Sequence, residues 1–346
     1  MGPRVVGSGN LVDGVPQIWP GSLGAATPED GRRLVDSLHR KGAGFVKVYS
    51  RLAPETYRAI AAEAKRLGIP FAGHIPTLVS PVEASDLGQR TVEHLTMIPQ
   101  ACSTEEEAYR QALAATVGSK GWDSAGRVQR AAASRVAQGY DEARCRALAQ
   151  RFAKNGTWMV PTITVLRSTS HLDDTTLAAD PRLRFIPGFF KTSWDPRRDF
   201  RFRTLTAEDW ANRKVMNRRQ LEIIRLFHQE GARFLAGTDL SNPYIYPGFS
   251  LHEELALLVE AGLTPLDALR AATLGPAEFL GRGREAGTVE AGKVADLVLL
   301  DANPLDDITN TTRIRAVVAA GRLHDDRALA DLVAAGEAIA KRMSGN

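Results

Sequence analysis

The stretch GFVKVYSRLAPETYRAIAAEAKRLGIPFAGH, residues 44–74, decides the fold. Its first part, Gly44-Phe45-Val46-Lys47-Val48-Tyr49, is a short apolar, β-branched run and predicts a strand. Pro54-Glu55-Thr56 then opens a helix with proline at its first position, and Ile60, Ala61, Ala64 and Leu67 form one stripe at helical spacing. Gly68 stops that helix, and Ile69-Pro70-Phe71-Ala72-Gly73-His74 predicts a second strand. Strand, helix and strand in this order make a βαβ unit with parallel pairing, and strands apolar throughout are those covered on both faces.

The same grammar extends in both directions. Upstream, Arg4-Val5-Val6-Gly7-Ser8 reads as a strand, and Thr27-Pro28-Glu29-Asp30 opens a helix that stops at Gly42. Downstream, Ser80-Pro81-Val82-Glu83 is a helix start, and Arg90-Thr91-Val92-Glu93-His94-Leu95 predicts a strand. Residues 157–163 and 232–237 predict two more strands, separated by helices and by a stretch rich in arginine and aromatics from His171 to Arg203. Residues 287–293, 295–300 and 314–318 read as short antiparallel strands joined by glycine turns, and a helix near Leu329–Met343 ends the chain. The reading is thus an α/β protein. An alternating α/β domain spans residues 1–283, a small β-subdomain spans 284–325, and a terminal helix occupies 326–346.

Composition narrows the classes. With 346 residues, 44% hydrophobic and 24% charged, the chain is of ordinary globular type, which excludes disordered and low-complexity classes. A net charge of +4 is too weak and scattered for a nucleic-acid protein. No apolar run approaches the roughly 20 residues that a membrane span needs. Cys102 and Cys145 lie outside any CxxC spacing, so they offer no thiolate metal cage and do not demand an oxidising compartment.

Side chains capable of chemistry recur at one structural place. Lys47, His74, His94 and Asp239 each fall at or just past the C-terminal end of a predicted parallel strand, the edge on which β/α barrels build their sites. Lys47 and His74 are 27 residues apart and His74 and His94 are 20 apart, about one βα unit each, so three consecutive strands bring them to one mouth. Taken singly, Lys47 could snorkel to solvent and Asp239 could cap a helix; together they form a plausible ligand set. Two imidazoles and a carboxylate suit a divalent metal, zinc first and manganese or cobalt behind. A buried lysine readily loses its proton, and its amine can then take up CO2 as a carbamate able to bridge two ions. Tyr49 lies two residues past Lys47, on the same face of the strand, where it either meets substrate or packs.

These residues carry a resemblance. Phe45-Val46-Lys47-Val48-Tyr49, Ala72-Gly73-His74, Val92-Glu93-His94 and Ala236-Gly237-Thr238-Asp239 resemble the amidohydrolase superfamily, in its imidazolonepropionase-like and Xaa-Pro-dipeptidase-like branch. Ser250-Leu251-His252-Glu253-Glu254-Leu255, residues 261–269, Ala271-Ala272-Thr273 and residues 292–299 resemble its final helices and returning β-sandwich. The resemblance implies a (β/α)8 TIM barrel, here holding strands three to eight, with a β-sandwich remnant. It implies Lys47 as a carbamylated bridging ligand, His74 and His94 as ligands, and Asp239 as ligand and general acid/base. It implies hydrolysis of an amide, cyclic amide or dipeptide C–N bond by metal-activated water, with one or two Zn2+ ions.

The family pattern also begins with a His-x-His pair, and none of the seven histidines here lies two from another. By the matched order, strands one and two precede Met1, as would any leader. The compartment stays open with the cytoplasm favoured, and the first metal position is incomplete in this chain. An inactive fragment or interaction module of the same fold remains an alternative, as does a Schiff-base lyase using Lys47. A small-molecule substrate is expected, with no nucleic acid, no membrane span and a homo-oligomer open. The residues from Leu183 to Arg203 read either as a surface loop anchored by aromatics or as a lid whose Arg197 and Arg198 bind a substrate carboxylate.

Overall fold

The computed structural model describes residues 4–345, so the outermost domain bounds at 1 and 346 lie outside the described residues. The chain folds as two compact units, Met1–Pro161 with Arg218–Arg233, and Thr162–Asn217 with Phe234–Asn346.

The first unit is built on a parallel sheet. Its strands are β1 (Val12–Asp13), β2 (Leu23–Gly24), β3 (Val46–Val48), β4 (Phe71–Gly73), β5 (Thr91–Glu93), β6 (Trp158–Val160) and β7 (Arg233–Phe234), whose Phe234 opens the last segment of the second unit, in the order β2-β1-β3-β4-β5-β6-β7. Lys47 pairs with Ala72 across β3 and β4, and Val92 with Met159 across β5 and β6. Val46, Val48, Phe71, Val92 and Met159 are buried, which explains why these strands read as apolar runs. The helix Pro28–Arg40 starts as its sequence requires: Thr27 Oγ1 accepts from the Asp30 amide and Asp30 Oδ2 accepts from the Thr27 amide. The helix Pro54–Leu67 ends at Gly68 with φ +68°, a conformation that costs glycine nothing.

One strand lies elsewhere than expected. Residues 4–8 are not a strand, and Val5 is exposed. The first strand is instead Val12–Asp13, organised by a buried carboxylate. Asp13 accepts hydrogen bonds from the backbone amides of Gly14, Ile18 and Arg51 at 2.9, 3.0 and 2.7 Å. A side chain at Gly14 would stand 2.0 Å from the Arg51 carbonyl, so only glycine follows Asp13 here. The paired valines at 5 and 6 imitate a strand locally. The tertiary hydrogen bonds of Asp13 choose a different one.

The second unit carries a small antiparallel sheet, β8 (Leu297–Leu300), β9 (Ile314–Ala319) and β10 (Arg322–His324), in the order β10-β9-β8. Residues 287–293 are not one of its strands. Lys293 holds them as a turn, its Nζ donating to the Gly283 carbonyl at 2.8 Å and to Thr288 Oγ1. The final helix, Asp326–Met343, begins three residues earlier than expected because Asp325 caps it. Among the described residues no helix is long and apolar enough to cross a membrane.

A buried acid links two helices of this unit. Glu254, in the helix Phe249–Glu260, accepts from the amides of Ile163 and Thr164 at 3.0 and 2.8 Å and from Thr164 Oγ1 at 3.1 Å, satisfying the start of the helix Ile163–Ser170. Burial lifts its pKa to about 7 despite those donors. A carboxyl whose folded pKa lies above its unfolded value contributes stability at low pH and loses it as pH rises between the two. Wild-type stability is therefore expected to fall relative to Glu254→Gln between about pH 4.5 and 7, by about 3 kcal/mol in all. Urea unfolding of both proteins across that window checks it, and parallel pH profiles would refute it.

Candidate metal centre

Three neighbouring strands end at one edge of the first unit. Lys47 lies within β3, while His74 and His94 directly follow β4 and β5. The backbone continues the ladder one residue past each strand, with the His74 amide donating to the Val48 carbonyl and the His94 amide to the Val160 carbonyl, at 3.1 and 3.0 Å. Both imidazoles are thus carried on hydrogen-bonded backbone. Gly73 makes room for this arrangement. It sits at φ +118°, and a Cβ there would lie 2.5 Å from the Val48 carbonyl and 3.2 Å from Lys47 Cγ.

The side chains converge. His74, Glu93 and His94 each offer a ligand atom, and these atoms lie within 4.8 Å of one another. The two imidazole rings meet edge to face at 4.9 Å. Lys47 Nζ stands 2.6 Å from Glu93 Oε2. Glu93 is the member that the sequence reading passes over, because adjacent residues of a regular strand point to opposite faces. His94 escapes that rule at φ +56°, followed by Leu95 at +53° and Met97 at +62°. The pleat is broken between Glu93 and His94, and consecutive side chains serve one site. Non-glycine residues in this region of backbone space cluster where surrounding structure over-determines them, as at ligand sites.

His74 is the most constrained of the three. Tyr49 stacks on its ring at 3.9 Å, Ser50 Oγ lies 2.8 Å from Nδ1, and Trp19 Nε1 donates to the Tyr49 hydroxyl at 2.7 Å. Burial, then the neighbouring His94 and Lys47 charges, push its pKa well below the ordinary value. The ring is therefore neutral at physiological pH, the form in which imidazole binds a metal. Tyr49, expected to face the same side as Lys47, is placed against the His74 ring and not against bulk solvent.

Asp239, Arg197 and Arg198 belong to the second unit. Asp239 is half-buried at φ +52° and accepts from Asn242 Nδ2 at 2.7 Å. Arg197 is 88% exposed and pairs with Asp195 at 2.8 Å, and Arg198 is also exposed. Arg201, from the same segment, reaches Asn242 instead. His252 pairs with Thr311 Oγ1 at 3.0 Å within its helix packing.

Two imidazoles and a carboxylate at this spacing suit a borderline divalent cation such as zinc, so the donor set fits the metal that the resemblance implies.

Comparison with known proteins agrees in kind. The family model described as "Amidohydrolase family" matches residues 32–324. An imidazolonepropionase of Geobacillus sp. (strain WCH70) is 37% identical over 106 residues, 27% of this chain and 24% of that enzyme. The match thus spans about a quarter of that relative's length. Among solved structures, bottromycin amidohydrolase superposes with a TM-score of 0.73 at 24% identity, over 98% of this chain and 68% of its own. A Xaa-Pro dipeptidase with bound methionine in its active site superposes at 0.54 with 17% identity, over 88% and 60%. Those two likenesses speak for the fold.

Proposed function

This chain belongs to the amidohydrolase family, and from that premise we propose that it is a metal-dependent hydrolase of a non-aromatic C–N bond in an amide, a cyclic amide or a dipeptide. The observation that carries the reading is the meeting of His74, Glu93 and His94 at the ends of adjacent parallel strands. His74 and His94 would hold the ion, with a carboxylate-type ligand from Glu93 or from Lys47 as its carbamate. The ion, zinc by the donor chemistry, supplies Lewis-acid polarisation of the scissile carbonyl and acidifies a water.

The chain's own residues do the rest. Ser50 and Tyr49 hold the His74 ring in one orientation, which keeps a ligand lone pair aimed without further ordering. Lys47, while an ammonium, offsets the charge of Glu93 in this half-buried place. Asp239 is proposed both as a further carboxylate ligand to the ion and as the general acid/base, which takes a proton from the attacking water and returns it to the leaving nitrogen. Arg197 and Arg198 are proposed to select substrates bearing a carboxylate, since guanidinium pairs that group in two parallel hydrogen bonds.

The test is direct. Chain purified with Zn2+ is assayed for bound metal and for hydrolysis of N-acyl amino acids, Xaa-Pro dipeptides and lactams. Bound metal and hydrolysis that a chelator removes and Zn2+ restores are expected. Failure to retain metal, or borohydride trapping of a carbonyl substrate on Lys47, would overturn the reading. In the same screen Arg197→Ala with Arg198→Ala should reduce the preference for carboxylate-bearing substrates; unchanged selectivity removes those two residues from the site.

A further inference from the structure

Asp239 sits in a loop that its own backbone does not favour. Asp239, Ser241 and Tyr244 all have positive φ, at +52°, +83° and +57°. Such a run persists only where neighbours hold it, and the neighbours come from the helix Ile163–Ser170 and the arginine-rich segment of the same unit. Ser168 Oγ donates to the Pro243 carbonyl at 2.5 Å, and Trp194 packs on Tyr244 with ring centres 5.4 Å apart. The contact that bears on chemistry is a chain of hydrogen bonds. Arg201 Nη1 donates to Asn242 Oδ1 at 2.9 Å, and Asn242 Nδ2 donates to Asp239 Oδ2 at 2.7 Å and to the Asp239 carbonyl at 3.1 Å.

Each link settles the next. Asp199 takes the other edge of Arg201, accepting from Nε at 3.1 Å and from Nη2 at 2.6 Å, while the guanidinium lies over Phe202 at 4.9 Å. A guanidinium gripped on one edge presents its remaining donor in a fixed direction. An amide alone can turn either end toward a carboxylate, but guanidinium carries donors only. With Oδ1 committed to Arg201, the Asn242 NH2 must face Asp239.

We infer that Arg201 and Asn242 are positioning residues for Asp239, which commit one of its carboxylate oxygens and so fix the direction of the other. The inference rests on the proposed reading of Asp239 as a metal-contacting carboxylate. It assigns the arginine-rich segment a task different from a lid: Arg201, and not Arg197 or Arg198, is the arginine that acts on the reacting group.

The test is a double-mutant cycle on Zn2+ affinity of the full chain, measured by competition with a chromophoric chelator, with thermal unfolding as a check on the fold. Asn242→Ala and Arg201→Lys are each expected to weaken Zn2+ binding by about 10–100-fold, the usual effect of losing a group that orients a ligand. Arg201→Lys keeps the charge and loses the fork. Both effects should vanish in an Asp239→Asn background, because they act only through that carboxylate. Effects of the same size in that background would mean that the pair merely supports the fold, and would overturn the inference. Normal affinity in Asn242→Ala beside weakened affinity in Asp239→Asn overturns the positioning role and leaves the reading of Asp239 intact. Normal affinity in Asp239→Asn overturns that reading, and the relay with it.

Discussion

Replacing His94 with alanine is expected to strip the chain of its divalent ion and to lower hydrolysis on the order of 10^3-fold or more, beyond what losing one oxyanion donor costs. His94 is the better choice of the two histidines. Its side chain is 15% exposed and stands at the C-terminal edge of the sheet, so truncation disturbs less packing than at His74. His74 is buried under Tyr49, and its loss would confound metal binding with packing. His94→Gln offers a second variant that fills the same space with a poor zinc ligand. Glu93→Gln completes the series: it keeps the shape, removes the charge and leaves Lys47 without its ion-pair partner. Its expected effect is about 10–100-fold on Zn2+ affinity if Glu93 orients or joins the ligand set. Metal analysis by emission spectroscopy after gel filtration reads all three. Stoichiometric metal in the folded His94→Ala protein would remove His94 from the centre, and with it the metal site as drawn here.

The two kinds of site residue differ in how far sequence could show them. Lys47, His74 and His94 are legible because each lies within one residue of the end of a strand of the same sheet, and successive strands recur at about one βα unit. Periodicity alone then places them on one edge. Glu93 is hidden by the same logic that finds the others. Alternation along β5 sends it away from His94, and only the left-handed backbone at 94 brings it back. Nothing in a one-dimensional pattern marks a non-glycine residue for φ +56°. Asn242 and Arg201 are hidden for another reason, a separation of 41 residues bridged by a side-chain hydrogen bond. The early strands fail more simply. Val5 and Val6 have the side chains of a strand yet stay exposed. Val12–Asp13 is only two residues long and owes its place to three amides gathered by Asp13, one of them 38 residues away. Helix starts, by contrast, are written locally. Thr27 with Asp30, Ser80 before Pro81 and Asp141 at the helix Glu142–Asn155 each cap the turn beside them.

Reduction of one covalent link should have the second large effect, on stability. Cys102 and Cys145, whose spacing signals no pairing, are joined as a disulfide and both are fully buried. The link has a definite mechanical place. Cys102 ends the short helix Ile98–Ala101, which follows the left-handed backbone at His94, Leu95 and Met97. Cys145 lies in the first turn of the helix Glu142–Asn155. Around the bond, the Asp141 amide donates to the Cys102 carbonyl at 2.8 Å and the Thr104 amide to the Gly139 carbonyl at 2.9 Å, so the two segments are already aligned. Closing a loop of 43 residues removes enough freedom from the unfolded chain to stabilise the fold by about 4 kcal/mol in the chain-entropy account. Cys102→Ser with Cys145→Ser, or wild type under strong reductant, is expected to unfold at a temperature lower by roughly 5–10 °C. Zn2+ affinity should fall in the same variant, because the segment carrying His94 loses its anchor five residues beyond Met97, the end of the left-handed turn. A thiol titration of the denatured, unreduced protein should find no free thiol. Two free thiols with unchanged melting would mean that the pair packs as ordinary buried cysteines. A stabilising bond of this kind persists where glutathione does not reduce it. Its presence in protein taken directly from cells would therefore favour an oxidising compartment over the cytoplasm that the sequence suggested.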